Sequence, residues 1–382
     1  MFPKKILATL VILLVSTLAF SQLNQTEAQL QELVKKTNTI GLAVAVVKNG
    51  EIIYTHSFGY KDVEKNILLN NTDIFRIASI SKSFSATAIM QLAAAKKLSL
   101  ADDFSKLVGF KVRNPKFPET IITLKMILSH TSSINDSEGY FNLDVINPEK
   151  SKNWEKCYNN YEPGKGYSYC NLNFNMVGAV IEKITGERFD KYIKNHILNP
   201  LDLYGGYWVE SLKQDLFATL YEYNDSEKKF NPSPTAYAPR TEEIKNYVMG
   251  YSTPIFSPTG GMKISATDLA KYMTMHMNYG KYNGKRIIAK KYAKLMQTAL
   301  SDEEGYGLAI RTSDKLINGK TLKGHTGSAY GLFSAMFFDP KEKFGIVVIT
   351  NGTNGGYTDG FNNIIKASFN VLYENLISKN SK

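Results

Sequence analysis

The chain has 382 residues, 43% apolar and 21% charged, which is typical of a globular protein with either one large domain or two smaller ones. Its formal net charge of +11 at pH 7 comes almost entirely from Lys, since Arg occurs at only six positions. Because Arg is favoured for bidentate binding to phosphates and base edges, the charge predicts a lysine-rich solvated surface and argues against a nucleic-acid partner.

Residues 1–21 have the pattern of a secretory signal peptide. Lys4 and Lys5 precede an apolar run over Ile6–Phe20, and small residues occupy the −3 and −1 positions of a cleavage site after residue 21. The run is shorter than the roughly 20 residues of a membrane-spanning helix, and a retained anchor is the alternative. We therefore expect a mature chain without a membrane span, located in the periplasm or secreted.

Strand patterns cluster at both ends of the chain. The stretch "GLAVAVVKNGEIIYTHSFGY" (Gly41–Tyr60) contains two β-branched apolar runs joined by Asn49-Gly50, the strongest short signal for a β-hairpin. Leu332–Gly352 again predicts strand, turn and strand, and Phe361–Ile377 predicts an amphipathic C-terminal helix.

Helical patterns dominate the middle of the chain. We predict helices over Ser81–Leu98, Leu124–Leu128, Asn173–Ile184 and Ala266–Asn278, and an irregular surface excursion over Tyr221–Arg240. This layout predicts an α+β fold, an α/β sandwich whose sheet subdomain (about residues 22–105 and 300–382) is built from both chain ends. A mostly helical subdomain (about residues 106–299) is inserted between them.

The stretch "FRIASISKSF" (Phe75–Phe84) crowds three serines around Lys82, and a serine needs a neighbouring base to act as a nucleophile. Residues i and i+3 share one face of a helix, so Ser79 can meet Lys82, whereas Ser81 would face Phe84. The apolar neighbours of Lys82 predict partial burial, which lowers a lysine's pKa. The alternative is a helix-capping Ser79 followed by a solvated Lys82.

Two further stretches carry polar residues suited to the same chemistry. "PGKGYSYCN" places Tyr169-Cys170-Asn171 between a Pro-Gly turn and a helix, and "GHTGSAYG" places His325-Thr326-Gly327 where a strand begins. Each short pattern is weak alone, because Ser226 and Lys229 repeat the S-x-x-K spacing in a polar loop.

Together these stretches resemble the serine β-lactamase and penicillin-binding protein superfamily, particularly its class C-like serine hydrolase branch. The resemblance is carried, in the family's order, by "FRIASISK", "ITLKMILSHTSSI", "PGKGYSYCN", "SPTGGMKISATDLAKYM", and "GHTGSAYG" with "FDPKEKFGIVVITN". It covers nearly the whole mature chain. It implies an antiparallel sheet flanked by helices, with the active site between the sheet and the inserted helical region.

The resemblance also implies residue roles. Ser79 matches the family's nucleophile, and Lys82 matches the lysine that helps to activate it. Tyr169 matches the tyrosine that shuttles the proton, and Asn171 matches the asparagine that hydrogen-bonds substrate and lysine. The backbone N–H groups of Ser79 and Ser328 would form the oxyanion hole.

His325, Thr326 and Gly327 match the family's third motif, which lines the substrate site. Many lactamases and penicillin-binding proteins have Lys where this chain has His325, and that cation helps to bind the substrate's carboxylate. Histidine is mostly neutral near pH 7, and family esterases and peptidases often have it at this position. We therefore expect weaker β-lactamase or carboxypeptidase activity, although Thr326 can still hydrogen-bond a carboxylate.

The sequence thus predicts a serine hydrolase that forms an acyl-enzyme on Ser79. Its expected substrates are D-amino-acid peptides, small esters or β-lactams, with peptidoglycan as a candidate partner. A non-catalytic penicillin-binding or cell-wall sensor protein and a true class C-type β-lactamase remain alternatives. No motif indicates a metal or cofactor. Cys157 and Cys170 are the only cysteines, and their spacing leaves a disulfide open.

Overall fold

The structure, a computed structural model, describes residues 22–301 and 304–378. The predicted signal peptide lies outside the described residues. The helices are α1 (residues 22–36), α2 (Ser81–Ala94), α3 (Phe104–Val108), α4 (Leu124–Leu128), α5 (Asn171–Thr185), α6 (Phe189–Ile193), α7 (Thr241–Lys245), α8 (Ala266–Met277), α9 (Lys290–Met296) and α10 (Asn363–Leu372). No helix within these two ranges is long and apolar enough to cross a membrane.

The strands are β1 (Gly41–Lys48), β2 (Glu51–Asp62), β3 (Ile67–Leu68), β4 (Phe75–Arg76), β5 (Gly205–Gly206), β6 (Tyr221–Asn224), β7 (Lys229–Pro232), β8 (Lys263–Ile264), β9 (Lys281–Tyr282), β10 (Lys285–Arg286), β11 (Arg311–Ser313), β12 (Leu322–Ala329), β13 (Leu332–Asp339), β14 (Phe344–Thr350), β15 (Tyr357–Thr358) and β16 (Phe361–Asn362). Seven of them form the main antiparallel sheet, in the order β11-β12-β13-β14-β1-β2-β3. Since β1 pairs with β14, the two ends of the chain meet in the sheet.

Helices cover both faces of this sheet, because successive side chains of a strand point to opposite faces. Alternate residues of β1 therefore enter two separate cores: Leu42, Val44 and Val46 pack with α1 and α10, while Ala43, Ala45 and Val47 join the larger core that includes α2, α5 and α8. The predicted α+β architecture, an antiparallel sheet flanked by helices, is confirmed.

Most predicted elements are present with shifted ends. The Asn49-Gly50 hairpin and the two strands within Leu332–Gly352 are confirmed. The helix predicted over Ser81–Leu98 ends at Ala94. The helix predicted over Phe361–Ile377 begins only after the short strand β16.

The irregular surface excursion predicted over Tyr221–Arg240 is wrong in part. Its first half forms the antiparallel hairpin β6–β7, and Tyr221 is buried. The Tyr221 backbone N–H donates to the Asn351 carbonyl oxygen at 2.8 Å, and its hydroxyl accepts from the Val63 N–H at 2.8 Å. These contacts with distant segments fix the hairpin, and a local sequence pattern does not reveal them.

Candidate active site

Ser79 lies in a tight helical turn, Ala78–Ile80, which leads directly into α2. Ala78 has φ +49°, a left-handed conformation that costs energy for a residue with a β-carbon. The Ser81 hydroxyl holds the turn, since it donates to the Ala78 carbonyl at 2.6 Å and accepts from the Met262 N–H at 3.0 Å. The strained turn leaves Ser79 partly exposed at the entrance to a buried helix.

Strand β12 runs against this turn, and Gly327 makes the close approach possible. A β-carbon at Gly327 would overlap the Ile77 carbonyl oxygen and lie 2.5 Å from the Ser334 hydroxyl. That hydroxyl also donates to the Ile77 carbonyl at 3.0 Å, which ties β13 to the same turn. The sheet thereby brings Ser328, the residue after Gly327, to the same cavity as Ser79.

Lys82 is fully buried one turn after Ser79. Its Nζ lies 3.2 Å from Ser79 Oγ and donates to Asn171 Oδ1 at 2.8 Å and to the Thr259 carbonyl at 3.1 Å. Burial lowers the pKa of Lys82 to about 7, although the negative charge of Asp136 opposes the shift. A large fraction of Lys82 is therefore neutral at physiological pH and able to accept a proton from Ser79.

Asn171 is held in place from two sides. Asp136 Oδ2 accepts from its backbone N–H at 2.8 Å and from its side-chain Nδ2 at 2.9 Å. Its Oδ1 accepts from Lys82 and, at 2.9 Å, from the Thr259 hydroxyl. Because Asp136 Oδ1 also accepts from the Leu172 N–H at 2.9 Å, this carboxylate caps α5 from outside the helix.

Tyr169 completes the group around Ser79. The residue borders the open cavity and is 38% exposed there, while its ring centroid lies 4.7 Å from Lys82 Nζ. Burial against its neighbours raises the pKa of the Tyr169 hydroxyl above its usual value, whereas a hydrogen bond with Ser79 works in the opposite direction. Tyr169 is therefore protonated at neutral pH, which leaves Lys82 as the base available in the resting site.

His325 lies on β12 with only 3% of its surface exposed. Its Nδ1 is 2.5 Å from the Thr326 carbonyl oxygen, and its Nε2 is 2.9 Å from the Tyr306 hydroxyl. Because a carbonyl oxygen only accepts, Nδ1 carries the proton and Tyr306 donates to Nε2. Burial and the charge of Lys82 lower the pKa of His325 to about 3, so it is neutral at physiological pH.

A cavity of about 370 Å³ opens in front of these residues. The residues that line it include Ser79, Tyr169, His325, Thr326, Gly327 and Ser328. Of the residues predicted for the site, only the buried Lys82 and the half-buried Asn171 do not line it, and Lys82 links Asn171 to Ser79. Among the described residues, no group of three or more His, Cys, Asp or Glu is placed to hold a metal ion.

The cavity also contains a cation that the motifs do not predict. Arg311, on β11, lines it, and the buried Nε of this side chain has no hydrogen-bond partner. Its guanidinium lies 3.8 Å from the Glu304 carboxylate, which lines the same cavity. A guanidinium is a permanent cation with a forked set of donors that matches a carboxylate.

The two cysteines do not form a disulfide. Cys157 and Cys170 are both buried free thiols. The Cys170 thiol donates to Asp136 Oδ1 at 3.2 Å, and the Cys157 thiol donates to the Val145 carbonyl at 3.4 Å. Cys170 therefore takes part in the same Asp136 cluster that orients Asn171.

Sequence reasoning missed four residues that build the site: Asp136, Thr259, Tyr306 and Arg311. Thr259 stands within the "SPTGG" stretch that carries part of the family resemblance, but its hydrogen bond with Asn171 is not evident there. Arg311 is one of only six Arg in the chain, but no motif surrounds it.

A family model described as Beta-lactamase matches residues 25–368. The chain therefore belongs to the β-lactamase family, and the resemblance to the serine β-lactamase and penicillin-binding protein superfamily is confirmed. Solved structures that share this fold include proteins named as a D-amino acid amidase and as EstCE1, a hydrolase. The class C-like branch stays a prediction.

Among curated proteins, the chain is 25% identical over 354 residues to Protein flp of Staphylococcus aureus (strain MRSA252), covering 86% of this chain and 63% of that protein. It is 29% identical over 268 residues to the Putative penicillin-binding protein PbpX of Bacillus subtilis (strain 168), covering 69% of this chain and 61% of that protein. The chain thus spans less than two thirds of the length of these relatives.

Among solved structures, the octameric penicillin-binding protein homologue from Pyrococcus abyssi superimposes with a TM-score of 0.73 at 26% identity, covering 92% of this chain and 79% of that one. The D-amino acid amidase from Ochrobactrum anthropi SV3 gives a TM-score of 0.72 at 18% identity, covering 94% of this chain and 100% of that one. The second likeness concerns the fold alone.

Proposed function

We propose that this protein is a serine hydrolase that forms an acyl-enzyme on Ser79 and cleaves amide or ester bonds. The observation that carries the proposal is the contact of 3.2 Å between Ser79 Oγ and Lys82 Nζ, made by a lysine whose pKa is lowered to about 7 by burial. A solvated lysine one turn after a capping serine would be almost fully protonated at neutral pH and therefore unable to act as a base.

In the proposed acylation step, neutral Lys82 takes the proton of Ser79 Oγ as that oxygen bonds to the substrate's carbonyl carbon. The backbone N–H groups of Ser79 and Ser328 donate to the oxygen that becomes negative. The Tyr169 hydroxyl then gives its proton to the leaving nitrogen or oxygen as the scissile bond breaks. Lys82 returns the proton to Tyr169, so the site ends uncharged with the acyl group on Ser79.

Deacylation runs through the same groups. A water molecule attacks the acyl carbonyl and loses its proton to the Lys82–Tyr169 pair, and Ser79 recovers that proton as the ester bond breaks. Because Lys82 and Tyr169 exchange protons in both steps, their titration belongs to the pair. Asn171 holds the Lys82 amine near Ser79 throughout.

Three substrate classes fit this chemistry: D-amino-acid peptides, small esters and β-lactams. Neutral His325 supplies no cation for a substrate carboxylate, but Arg311 and Thr326 face the same cavity. Arg311 and Thr326 together favour substrates that carry a free carboxylate near the scissile bond, such as the C-terminus of a peptide. The relative and the solved structure named as penicillin-binding proteins support a peptide substrate, and the neighbour named as a D-amino acid amidase supports cleavage of an amide bond beside a D-amino acid. Peptidoglycan stem peptides are one source, consistent with export by residues 1–21 to the periplasm or the outside.

An intact-mass time course with benzylpenicillin tests the proposal, with p-nitrophenyl acetate and an N-acetylated D-Ala-D-Ala peptide as parallel substrates. We expect acylation confined to the peptide that contains Ser79, and loss of hydrolysis in Ser79→Ala. Ser226→Ala is the matched control, because Ser226 has the same S-x-x-K spacing in an exposed turn. Full activity of Ser79→Ala on every substrate would refute the proposal.

The same time course separates the remaining candidates. An adduct that persists, together with no ester or peptide turnover, identifies a penicillin-binding or sensor protein. An adduct that forms and decays with release of hydrolysed penicillin identifies a working β-lactamase, the activity expected of the class C-type alternative. Ester or peptide turnover without a penicillin adduct identifies an esterase or peptidase.

A further inference from the structure

One wall of the cavity in front of Ser79 is aromatic and apolar. It is formed by Phe333, Tyr357, Phe361 and Ile365. The rings of Phe333 and Tyr357 meet edge to face with centroids 5.9 Å apart. Phe361 is 2% exposed and its ring packs against Phe337 at 5.9 Å, so this wall is anchored in the sheet core. Tyr357, at 61% exposed, forms its outer rim.

This apolar wall adjoins Arg311, whose guanidinium pairs with the Glu304 carboxylate at 3.8 Å in the same cavity. The Arg311 guanidinium carbon lies 5.6 Å from the centre of the Phe361 ring. Thr326 and Ser79 line the same space. A ligand that satisfies all of these groups needs a carboxylate beside a large apolar side chain, and a reactive carbonyl one residue away.

We infer that the leaving-group subsite is built for a C-terminal amino acid with a free carboxylate and a bulky apolar or aromatic side chain. This inference rests on the proposed hydrolase function. The methyl group of alanine is too small to cover Phe333, Tyr357 and Phe361 together, and it would leave this aromatic wall exposed to water. A benzyl or isobutyl group would cover it while Arg311 and Thr326 hold the carboxylate.

The chemistry of the step balances without a further reactant. The bond from Ser79 Oγ to the penultimate carbonyl carbon forms, and the amide C–N bond to the C-terminal residue breaks. The nitrogen takes a proton from the Tyr169 hydroxyl and leaves as the amine of a free amino acid. Water then releases the shortened peptide from Ser79.

The test compares two N-acetylated peptides that end in D-Ala-D-Ala and D-Ala-D-Phe, both as free acids. We expect kcat/KM for the D-Phe peptide to exceed that for the D-Ala peptide by at least about tenfold, since each apolar group in a fitted pocket discriminates to that degree. Tyr357→Ala should reduce this ratio about three- to tenfold, the range of one aromatic contact. Tyr60→Ala changes an exposed tyrosine on β2, four strands away from β12, and should not change the ratio.

Measuring Ser79-dependent ester turnover separates a failure of this inference from a failure of the proposed hydrolase function. Equal or better cleavage of the D-Ala peptide, with Ser79-dependent ester turnover intact, overturns the inference and leaves the hydrolase proposal standing. If Ser79-dependent ester turnover occurs but neither peptide is cleaved, inhibition of that turnover decides. Stronger inhibition by N-acetyl-D-phenylalanine than by N-acetyl-D-alanine supports the subsite, and equal inhibition overturns it. Absence of all Ser79-dependent turnover overturns both proposals.

Discussion

Asp136 both caps helix α5 and orients the side chain of Asn171. One carboxylate oxygen accepts from the backbone N–H and the side-chain amide of Asn171, and the other accepts from the Leu172 N–H. The side-chain oxygen of Asn171, Oδ1, then points to Lys82 and accepts a hydrogen bond from its Nζ. The geometry of the base therefore depends on a carboxylate that does not line the substrate cavity.

Asp136→Asn should weaken both the fold and the site. An asparagine offers one acceptor oxygen in place of two, so the N–H groups of Asn171 and Leu172 cannot all be satisfied, at a cost of about 1–3 kcal/mol. Because the charge of Asp136 raises the pKa of Lys82, its loss should lower that pKa further below about 7. Urea unfolding and the pH dependence of kcat/KM measure the two effects, and the acid limb of the profile should move to lower pH.

Asp103→Asn provides the matched control for this variant. Asp103 also caps a helix, since its carboxylate accepts from the Ser105 N–H at 3.0 Å at the start of α3, but it does not line the cavity. It should lower stability without moving the acid limb. An acid limb that moves equally in both variants would contradict the assigned effect of Asp136 on Lys82.

The sequence predicted those parts of the site that are local. Ser79 and Lys82 lie three residues apart in one helical turn, and the glycine-bounded motif around His325 lies within a single strand. Asp136 and Arg311 carry no local pattern, because an acidic residue in a turn or a basic residue on an edge strand is common. Their roles arise only when the chain brings Asp136 to the start of α5, 35 positions away, and β11 to the edge of the cavity.

The elements of the fold also divide into those that local sequence signals predict and those that depend on remote contacts. Alternating apolar residues and the Asn-Gly turn predicted the hairpin β1–β2, since both signals are local. The hairpin β6–β7 was missed because Tyr221 is fixed by Val63 and Asn351, which are remote in the sequence. Burial of His325 was also unpredictable, and burial changes its chemistry: a histidine expected to be mostly neutral becomes one held neutral by its surroundings.

The pH dependence of activity should follow Lys82. With a pKa of about 7, kcat/KM should rise through pH 7 and then level off as Lys82 loses its proton. Lys82→Arg should lower activity by about 10²–10⁴-fold at every pH, because a guanidinium does not release its proton. A stopped assay with an uncharged ester between pH 5 and 9 measures this rise of kcat/KM with pH. A kcat/KM that stays constant across pH 7 would contradict the role of Lys82.

Lys82 should also make stability depend on pH. Its pKa is lowered from 10.5 in the unfolded chain to about 7 in the fold, so the unfolded state binds more protons between these values. Relative to Lys82→Met, the free energy of unfolding of the wild type should therefore rise from pH 7 to pH 10, by roughly 4 kcal/mol. Guanidinium unfolding at three pH values measures the difference.

Lys65→Met is the comparison for this stability effect. The partner Asp62 raises the pKa of Lys65 above its usual value, so the wild type should not gain stability relative to this variant as the pH rises. The same pH trend in both differences would show that the burial of Lys82 is not its cause.

Gly327→Ala should move strand β12 away from the Ala78–Ile80 turn that carries Ser79. Its β-carbon would overlap the Ile77 carbonyl, so β12 must move away and carry the Ser328 N–H with it. Loss of one oxyanion donor costs about 10²–10³ in kcat, and the strain should cost about 1–3 kcal/mol of stability. Gly206→Ala, a buried strand glycine whose added carbon would meet its nearest neighbour at 3.6 Å, should retain activity. Equal activity loss in the two variants would refute a specific role for the β12 contact.

Glu304→Gln should favour anionic substrates. The Glu304 carboxylate lies 3.8 Å from the Arg311 guanidinium and competes with a substrate carboxylate for it. A partly exposed ion pair of this kind is worth about 0.2–1 kcal/mol, so kcat/KM for a peptide with a free C-terminus should rise about 1.5- to fivefold. An uncharged ester should show no such gain, and added salt should reduce the gain for the peptide.

Asp314→Asn removes an exposed carboxylate three residues after Arg311 and outside the cavity, and it should leave the ratio of peptide to ester turnover unchanged. If Glu304→Gln changes peptide and ester turnover equally, Glu304 does not compete for Arg311, and the carboxylate must bind elsewhere in the cavity.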